Sequence, residues 1–155
     1  MAPVNKIEMS AGLNLYLDIP TLKACTGCVT NAASNDFIVN RFGPFLLLEK
    51  RGDGWLTVPL FTQQLDDDDH PIESDTRVEL TGKKTGPGKG WHGRKSFFST
   101  VQFWIIPEDC LVQASHLEMN SEGNRQRYAE GQPEAIASII AHETDSSYGF
   151  QPFSN

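Results

Sequence analysis

The feature that most constrains the fold is a succession of short apolar stretches separated by turn-forming residues. About six of them precede the one strong helical pattern of the chain. Strands that follow one another across turns, without intervening helices, argue against a parallel doubly wound sheet. At 155 residues the chain has the length of one domain and can bury one core. We therefore predict a mainly β fold, either a small barrel or a strongly bent antiparallel sheet, with one C-terminal helix.

The strands are predicted from alternation and from their boundaries. Residues 12–19 alternate between apolar and polar side chains, which is typical of a half-buried strand, and Pro20 ends it. Residues 44–62 are predicted to form a hairpin, because residues 51–54 read Arg-Gly-Asp-Gly, a turn signal between two apolar runs. The other strand candidates are residues 37–39, 76–81, 96–106, which is the longest, and 110–112.

The C-terminal part contains the predicted helix. Pro133 stands where a helix begins, and apolar residues at 136, 139 and 140 form a helical stripe. Residues 20–35 are interpreted as a long loop or a short helix. We predict a single β-barrel-type domain over residues 1–143, with an N-terminal extension, and a tail over residues 144–155.

Charge and hydropathy limit the partners and the location. The formal net charge is −7, which argues against a protein that coats nucleic acids and against binding to anionic membranes. No apolar run approaches the length of a membrane-spanning helix, and the first six residues lack the apolar run of a signal peptide. We expect a cytoplasmic location and no membrane partner.

The three cysteines, Cys25, Cys28 and Cys110, do not form a disulfide framework or a complete zinc ligand set. A structural zinc site needs four ligands, usually with a second close pair, and no such pair follows Cys25-Thr26-Gly27-Cys28. The thiols are interpreted as structural or incidental, and no metal site is predicted. Whether Cys25 and Cys28 meet Cys110 stays open.

Basic residues concentrate in residues 82–95, which contain five glycines, five cations and no acid. Cations in a glycine-rich loop can contact phosphates, and an aromatic ring between them can stack on a base. We expect Trp91 to be exposed for this purpose. The predicted nucleic-acid-binding residues are Lys83, Lys84, Lys89, Trp91, His92, Arg94 and Lys95. The alternative is a solvated hairpin loop that is charged for solubility.

The acidic run at residues 66–69 is four consecutive aspartates. This pattern does not match an EF-hand loop, because successive side chains point in different directions. It is interpreted as a solvated loop. A further hypothesis is that the run lies over the basic loop and weakens the binding of polyanions.

Two strand candidates carry a family resemblance. Residues 41–48, Arg-Phe-Gly-Pro-Phe-Leu-Leu-Leu, and residues 56–62, Leu-Thr-Val-Pro-Leu-Phe-Thr, resemble the central part of the MazF/PemK growth-inhibitor family. The stretch from Phe97 to Leu111 resembles the later strand of that family, so the resemblance covers about residues 36–113. It implies a small SH3-like barrel, usually dimeric, that cleaves single-stranded RNA.

The resemblance also implies site residues and partners. Arg41 matches the catalytic arginine and Thr62 the hydroxyl residue of the family motif, with attack by a ribose 2′-hydroxyl on the adjacent phosphate and no metal or cofactor. His92 or His116 is a candidate for general acid–base assistance. The implied partners are single-stranded RNA, an antitoxin or inhibited target protein, and a second copy of the chain.

Two other functions fit the composition. The first is a non-catalytic acidic β-barrel that binds and modulates a protein partner, as an inhibitor or a mobile-element accessory protein. The second is an assembly subunit whose terminal extensions reach its neighbours.

Overall fold

The computed structural model describes residues 4–32, 42–62, 65–71, 76–87, 89–115, 126–145 and 149–153. The strands there are β1 (Leu13–Asp18), β2 (Val29–Thr30), β3 (Phe42–Arg51), β4 (Gly54–Pro59), β5 (Arg77–Glu79), β6 (Lys84–Thr85), β7 (Phe97–Ser99), β8 (Trp104–Pro107), β9 (Gln126–Tyr128) and β10 (Gln151–Pro152). The helices are α1 (Ile19–Ala24), α2 (Lys89–Gly93), α3 (Glu108–Ala114) and α4 (Pro133–Ile140), with 3-10 turns at Lys6–Glu8 and Ala141–Asp145. Within these ranges, no helix has the length and apolar character needed to cross a bilayer.

Eight of the strands form one sheet in the order β10-β2-β8-β4-β3-β1-β9-β6, and β5 pairs separately with β7. Every pairing is antiparallel. This confirms the predicted mainly β fold and the C-terminal helix α4. Among the described residues, the outer strands β10 and β6 do not pair with each other, so these pairings do not close a barrel.

The predicted hairpin over residues 44–62 is confirmed at the centre of the sheet. β3 and β4 pair from Phe45 opposite Pro59 to Arg51 opposite Gly54. The turn places Gly52 at φ +59°, a conformation that glycine adopts without strain. Pro59 is the last residue of β4. Because it stands at the end of the strand, its missing N–H removes no hydrogen bond from the interior of the strand.

The sheet is buried on both faces, which explains the continuous apolar run in β3. Phe45 and Leu47 join one core cluster, while Leu46 and Leu48 join the other. The first cluster includes residues of α1 and α3, and the second includes residues of α2, α4 and the β5–β7 sheet. The central strands therefore lie between two apolar layers, which account for most of the driving force for folding.

Two of the strand predictions were wrong or incomplete. The longest candidate, residues 96–106, is interrupted between β7 and β8, where Thr100 N–H donates to the carbonyl of Thr76. Residues 110–112 are helical in α3, because two acidic residues after Pro107 suit the first turn of a helix. Strand β9 was not predicted, and residues 37–39 lie outside the described residues.

Two segments whose structure the sequence did not decide are the one after β1 and the C-terminal tail. Their described residues are held by local and long-range contacts. Residues 19–24 form the short helix α1, which Asp18 caps by accepting a hydrogen bond from Thr21 N–H at 3.2 Å. In the tail, β10 pairs with β2, and the ring of Phe153 packs against Trp104 with 4.5 Å between ring centroids. The described part of the tail is thus docked on the domain.

Candidate nucleic-acid interface

A cavity of about 300 Å³ lies where β1, the entry of β3 and the end of β4 meet the segment after β6. Its walls are mainly apolar and include Pro44, Pro59 and Leu60. Cavities that bind small ligands combine such walls with a few polar groups that fix orientation. The lining residues are Asn14, Tyr16, Ile19, Gly43, Pro44, Phe45, Pro59, Leu60, Phe61, Thr62, Trp91, Arg94 and Ser96. Thr62, Trp91 and Arg94 are predicted site residues that the fold brings together here.

Asn14 is a buried polar residue of this cavity that the sequence analysis did not identify as a site residue. It lies in β1 between Leu46 of β3 and Gln126 of β9, and its exposed fraction is 0%. Its Nδ2 donates to Gln126 Oε1 at 2.8 Å, and Gln126 Nε2 donates to the carbonyl of Pro87 at 3.0 Å. These bonds fix the orientation of the Asn14 amide.

The Asn14 Oδ1 atom is buried and has no hydrogen-bond partner among the described residues. A buried acceptor left unpaired costs about 1–3 kcal/mol, and a hydrogen-bond donor that reaches this atom recovers that free energy. Alternation along β1 assigned Asn14 to a polar face, which gave no indication that the residue is buried. The burial comes from β9, a strand that the sequence did not predict.

Trp91 was expected to be exposed, and that prediction was wrong. Its exposed fraction is 4%, and it belongs to the second core cluster. Trp91 Nε1 donates to the carbonyl of Thr85 at 3.0 Å. The segment is not an open loop, because β6 pairs with β9 and α2 then turns the indole inward. Trp91 therefore forms a wall of the cavity.

Lys84 is also held in place rather than extended into solvent. Its Nζ donates to the carbonyl of Arg94 at 2.5 Å and to Ser96 Oγ at 3.3 Å. The ammonium group lies 4.7 Å from the centroid of the Trp91 ring, a cation–π contact. Burial, followed by the positive charge of Arg94, lowers the pKa of Lys84 below its usual range. Lys84 thus supports the cavity wall.

The remaining cations with described side chains, Lys83, Arg94 and Lys95, face solvent and are called the cationic rim. Arg94 lines the cavity and also a second, more polar depression of about 370 Å³, which Lys95 and His92 line as well. Lys83, Arg94 and Lys95 are exposed. His92 is exposed, and its Nε2 lies 2.9 Å from the carbonyl oxygen of Gly86. The side chain of Lys89 lies outside the described residues.

Of the two residues expected to be catalytic, the structure describes one. Thr62 is exposed and lines the cavity beyond the end of β4. Arg41 and His116 lie outside the described residues, and β3 begins at the residue after Arg41. Gly43 and Pro44 of β3 line the cavity, so the entry of this strand belongs to the site.

The acidic run forms a local turn. Asp66 Oδ1 accepts hydrogen bonds from the N–H groups of Asp68 and His70 at 2.8 and 2.9 Å. Asp66 also pairs with the His70 ring at 3.6 Å, and in the described part of the chain no ion pair joins the run to the basic rim. The exposed side chains agree with the solvated loop predicted from the sequence.

No family model, curated protein or solved structure matches the chain. The resemblance to the MazF/PemK family therefore rests on the sequence segments quoted above.

Proposed function

We propose that this protein binds single-stranded RNA, with one base in the cavity and the adjoining phosphates on the cationic rim, and cleaves it without a metal ion. The observation that carries the binding proposal is Asn14 Oδ1, a buried acceptor without a partner among the described residues in a residue that lines an apolar cavity. The resemblance of residues 41–48 and 56–62 to RNA-cleaving growth inhibitors supports the cleavage proposal.

A nucleobase fits the chemistry of this cavity. Sequence-specific recognition of RNA takes unstacked bases from single strands, stacks them on flat side chains and bonds their edges. Phe61, whose ring carries the Arg77 guanidinium 3.7 Å from its centroid on one face, supplies flat surface, and Pro44 and Pro59 add more. Asn14 Oδ1 accepts from an N–H group, so a base that presents an amino or imino N–H satisfies it. The bases of single-stranded RNA are already accessible, so no base pair has to be broken before one of them enters the cavity.

The rim fits the phosphates on either side of that base. Arg94 borders the cavity, and a guanidinium group can donate two parallel hydrogen bonds to a phosphate. Lys83 and Lys95, which belong to the same segment of the sequence as Arg94, are also exposed. Because the chain as a whole carries −7, these local charges have to attract the polyanion against a repulsive background. Binding is therefore proposed to be strongest at low salt.

Cleavage follows the chemistry of internal transesterification. The ribose 2′-oxygen attacks the phosphorus and forms a bond to it, the bond from phosphorus to the 5′-oxygen breaks, and the 2′-proton leaves to a base while the 5′-oxygen gains a proton. An arginine, Arg41 or Arg94, stabilises the negative charge that develops on the phosphoryl oxygens. The Thr62 hydroxyl donates a hydrogen bond to one of these oxygens.

The binding proposal is tested by Asn14→Ala. This variant removes the acceptor and is expected to weaken the binding of a mixed-sequence single-stranded RNA about 10-fold. The loss of one hydrogen bond and its packing contact lowers the binding free energy by about 1–1.5 kcal/mol. The measurement is fluorescence anisotropy with labelled RNA, with unfolding recorded in parallel.

Asn31→Ala is the matched control. Asn31 is another buried asparagine, but it lies outside the cavity lining, and its Oδ1 accepts a hydrogen bond from Phe103 N–H at 2.6 Å. This variant loses stability and is expected to bind RNA as the wild type does. Equal affinities of wild type and Asn14→Ala, or an equal loss in both variants, would contradict base binding in the cavity.

A further inference from the structure

The three cysteines meet at the contact between α1 and α3. Cys25 is the C-terminal capping residue of α1, Cys28 follows one turn later, and Cys110 lies in the first turn of α3. Cys110 Sγ donates to the carbonyl of Thr26 at 3.7 Å, which places α3 against the Cys25–Cys28 turn. Cys28 and Cys110 belong to the first core cluster, and Cys25 packs against it. All three are free thiols.

The three thiols differ in their access to solvent. Cys25 is half-buried, and its Sγ donates to Gln113 Oε1 at 3.6 Å, whereas Cys28 and Cys110 are buried. Burial, followed by the neighbouring Cys25, raises the pKa of Cys28 to about 12. Burial also raises the pKa of Cys110, and a hydrogen bond with the Cys25 side chain acts in the same direction. The two inner thiols are protonated at neutral pH and shielded from solvent, so an oxidant that arrives from solvent reaches Cys25 first.

Cys25 is thus an accessible thiol near the buried Cys110, whose sulfur contacts the carbonyl of the neighbouring Thr26. We propose that Cys25 is an oxidation site for hydrogen peroxide and that it closes a disulfide bond with Cys110. This modification involves neither the cavity nor the cationic rim, so it is independent of the proposed RNA binding. It ties the end of α1 to the start of α3.

The chemistry takes two steps. The Cys25 sulfur attacks one peroxide oxygen and breaks the O–O bond, which gives a sulfenic acid and releases one water molecule. The Cys110 sulfur then attacks the Cys25 sulfur, and the S–O bond breaks with release of a second water molecule. The two thiols are oxidised by two electrons, and the peroxide is reduced to water. The second thiol is supplied by the fold, because Cys110 Sγ lies 3.7 Å from the carbonyl oxygen of Thr26, the residue that follows Cys25.

The pairing has a measurable consequence for stability. A disulfide between residues 25 and 110 closes a long loop of the unfolded chain and restricts the unfolded state. We expect the oxidised protein to melt about 5–15 °C above the reduced protein. A disulfide within the Cys25–Cys28 turn closes a much shorter loop and is expected to change the melting temperature far less.

The experiment treats the full chain with a slight excess of hydrogen peroxide, digests it without reductant and identifies the linked peptides by mass spectrometry. The expected result is a link between Cys25 and Cys110 that dithiothreitol reverses, with the rise in melting temperature. The mapping needs no variant, so it does not depend on how a substituted protein folds. A Cys25–Cys28 link, or three unmodified thiols, would overturn the proposal.

Two variants sharpen the result. Cys110→Ser removes the second thiol, so the Cys25 sulfenic acid is expected to persist and to react with dimedone. Cys28→Ala is the matched control, since it removes the other buried thiol and leaves the pair; it is expected to form the same link as the wild type. A Cys110→Ser protein without a dimedone adduct would also overturn the proposal.

Discussion

Cleavage of single-stranded RNA in the presence of EDTA is expected to fall about 100-fold or more when Arg41 or Arg94 is replaced by alanine. Arg94→Ala removes a cation from the cavity lining, and Arg41→Ala removes the cation that the family resemblance implies. Arg94 lines the cavity, and Arg41 directly precedes β3, whose entry lines it. Testing both arginines separates the residue implied by the family resemblance from the one that the structure places at the cavity. The readout is the initial rate of product formation on a labelled RNA.

Two further variants provide a comparison for this loss of cleavage rate, one at Thr62 and one at a control lysine. Thr62→Val replaces the hydroxyl with a methyl group of similar size and is expected to lower the rate about 10-fold, as a single neutral hydrogen bond would. Lys6→Ala removes an exposed cation on the other side of the sheet, where Lys6 pairs with Asp109 at 2.6 Å, and is expected to cleave as the wild type does. Unchanged rates in both arginine variants would contradict the proposed catalytic step.

Gly12→Ala is expected to destabilise the fold by about 3–5 kcal/mol. Gly12 has φ +92°, and a Cβ there would collide with the backbone carbonyl of Tyr128. The close approach is needed because Gly12 N–H donates to the carbonyl of Leu47 at 2.7 Å and its own carbonyl accepts from Tyr128 N–H at 2.8 Å. These bonds hold β1 between β3 and β9. The measurement is the free energy of unfolding by chemical denaturation.

Gly52→Ala is the control for the backbone conformation alone. Gly52 also has a positive φ, +59°, but a Cβ there would have no neighbouring atom within 4 Å. The expected loss is about 1 kcal/mol, which is the cost of the left-handed conformation without a collision. Equal losses in the two variants would show that the approach of Tyr128 to Gly12 does not contribute.

The parts of the fold that were predictable are those whose signals are local. The hairpin of β3 and β4 has its turn residues between two apolar runs, and β1 has a clear alternation. The break between β7 and β8 is set by distant partners, such as the bond from Thr100 N–H to the carbonyl of Thr76. The short strand β9 is stabilised by its neighbours β1 and β6 rather than by its own sequence.

The candidate site was predictable only in part, for the same reason. The cations and Trp91 were found because they cluster in sequence, but the inward position of the indole depends on β6, which needs β9 as its partner. Asn14 could not be identified, since its burial depends on residues more than a hundred positions away, such as Gln126. Thr62 was proposed from a family resemblance, and the fold places it in the lining of the same cavity.

The most direct test of RNA binding at this face compares the salt dependence of affinity in two charge-matched variants. One variant is Lys83→Gln with Lys95→Gln, on the rim, and the other is Lys6→Gln with Lys23→Gln, on the opposite side of the sheet. Each phosphate contact contributes about 0.7 to the slope of log affinity against log salt concentration for a single strand. The rim variant is expected to lose about 1.4 from the slope, whereas the other variant keeps the wild-type slope. Identical slopes in all three proteins, or an equal loss in both variants, would contradict the account.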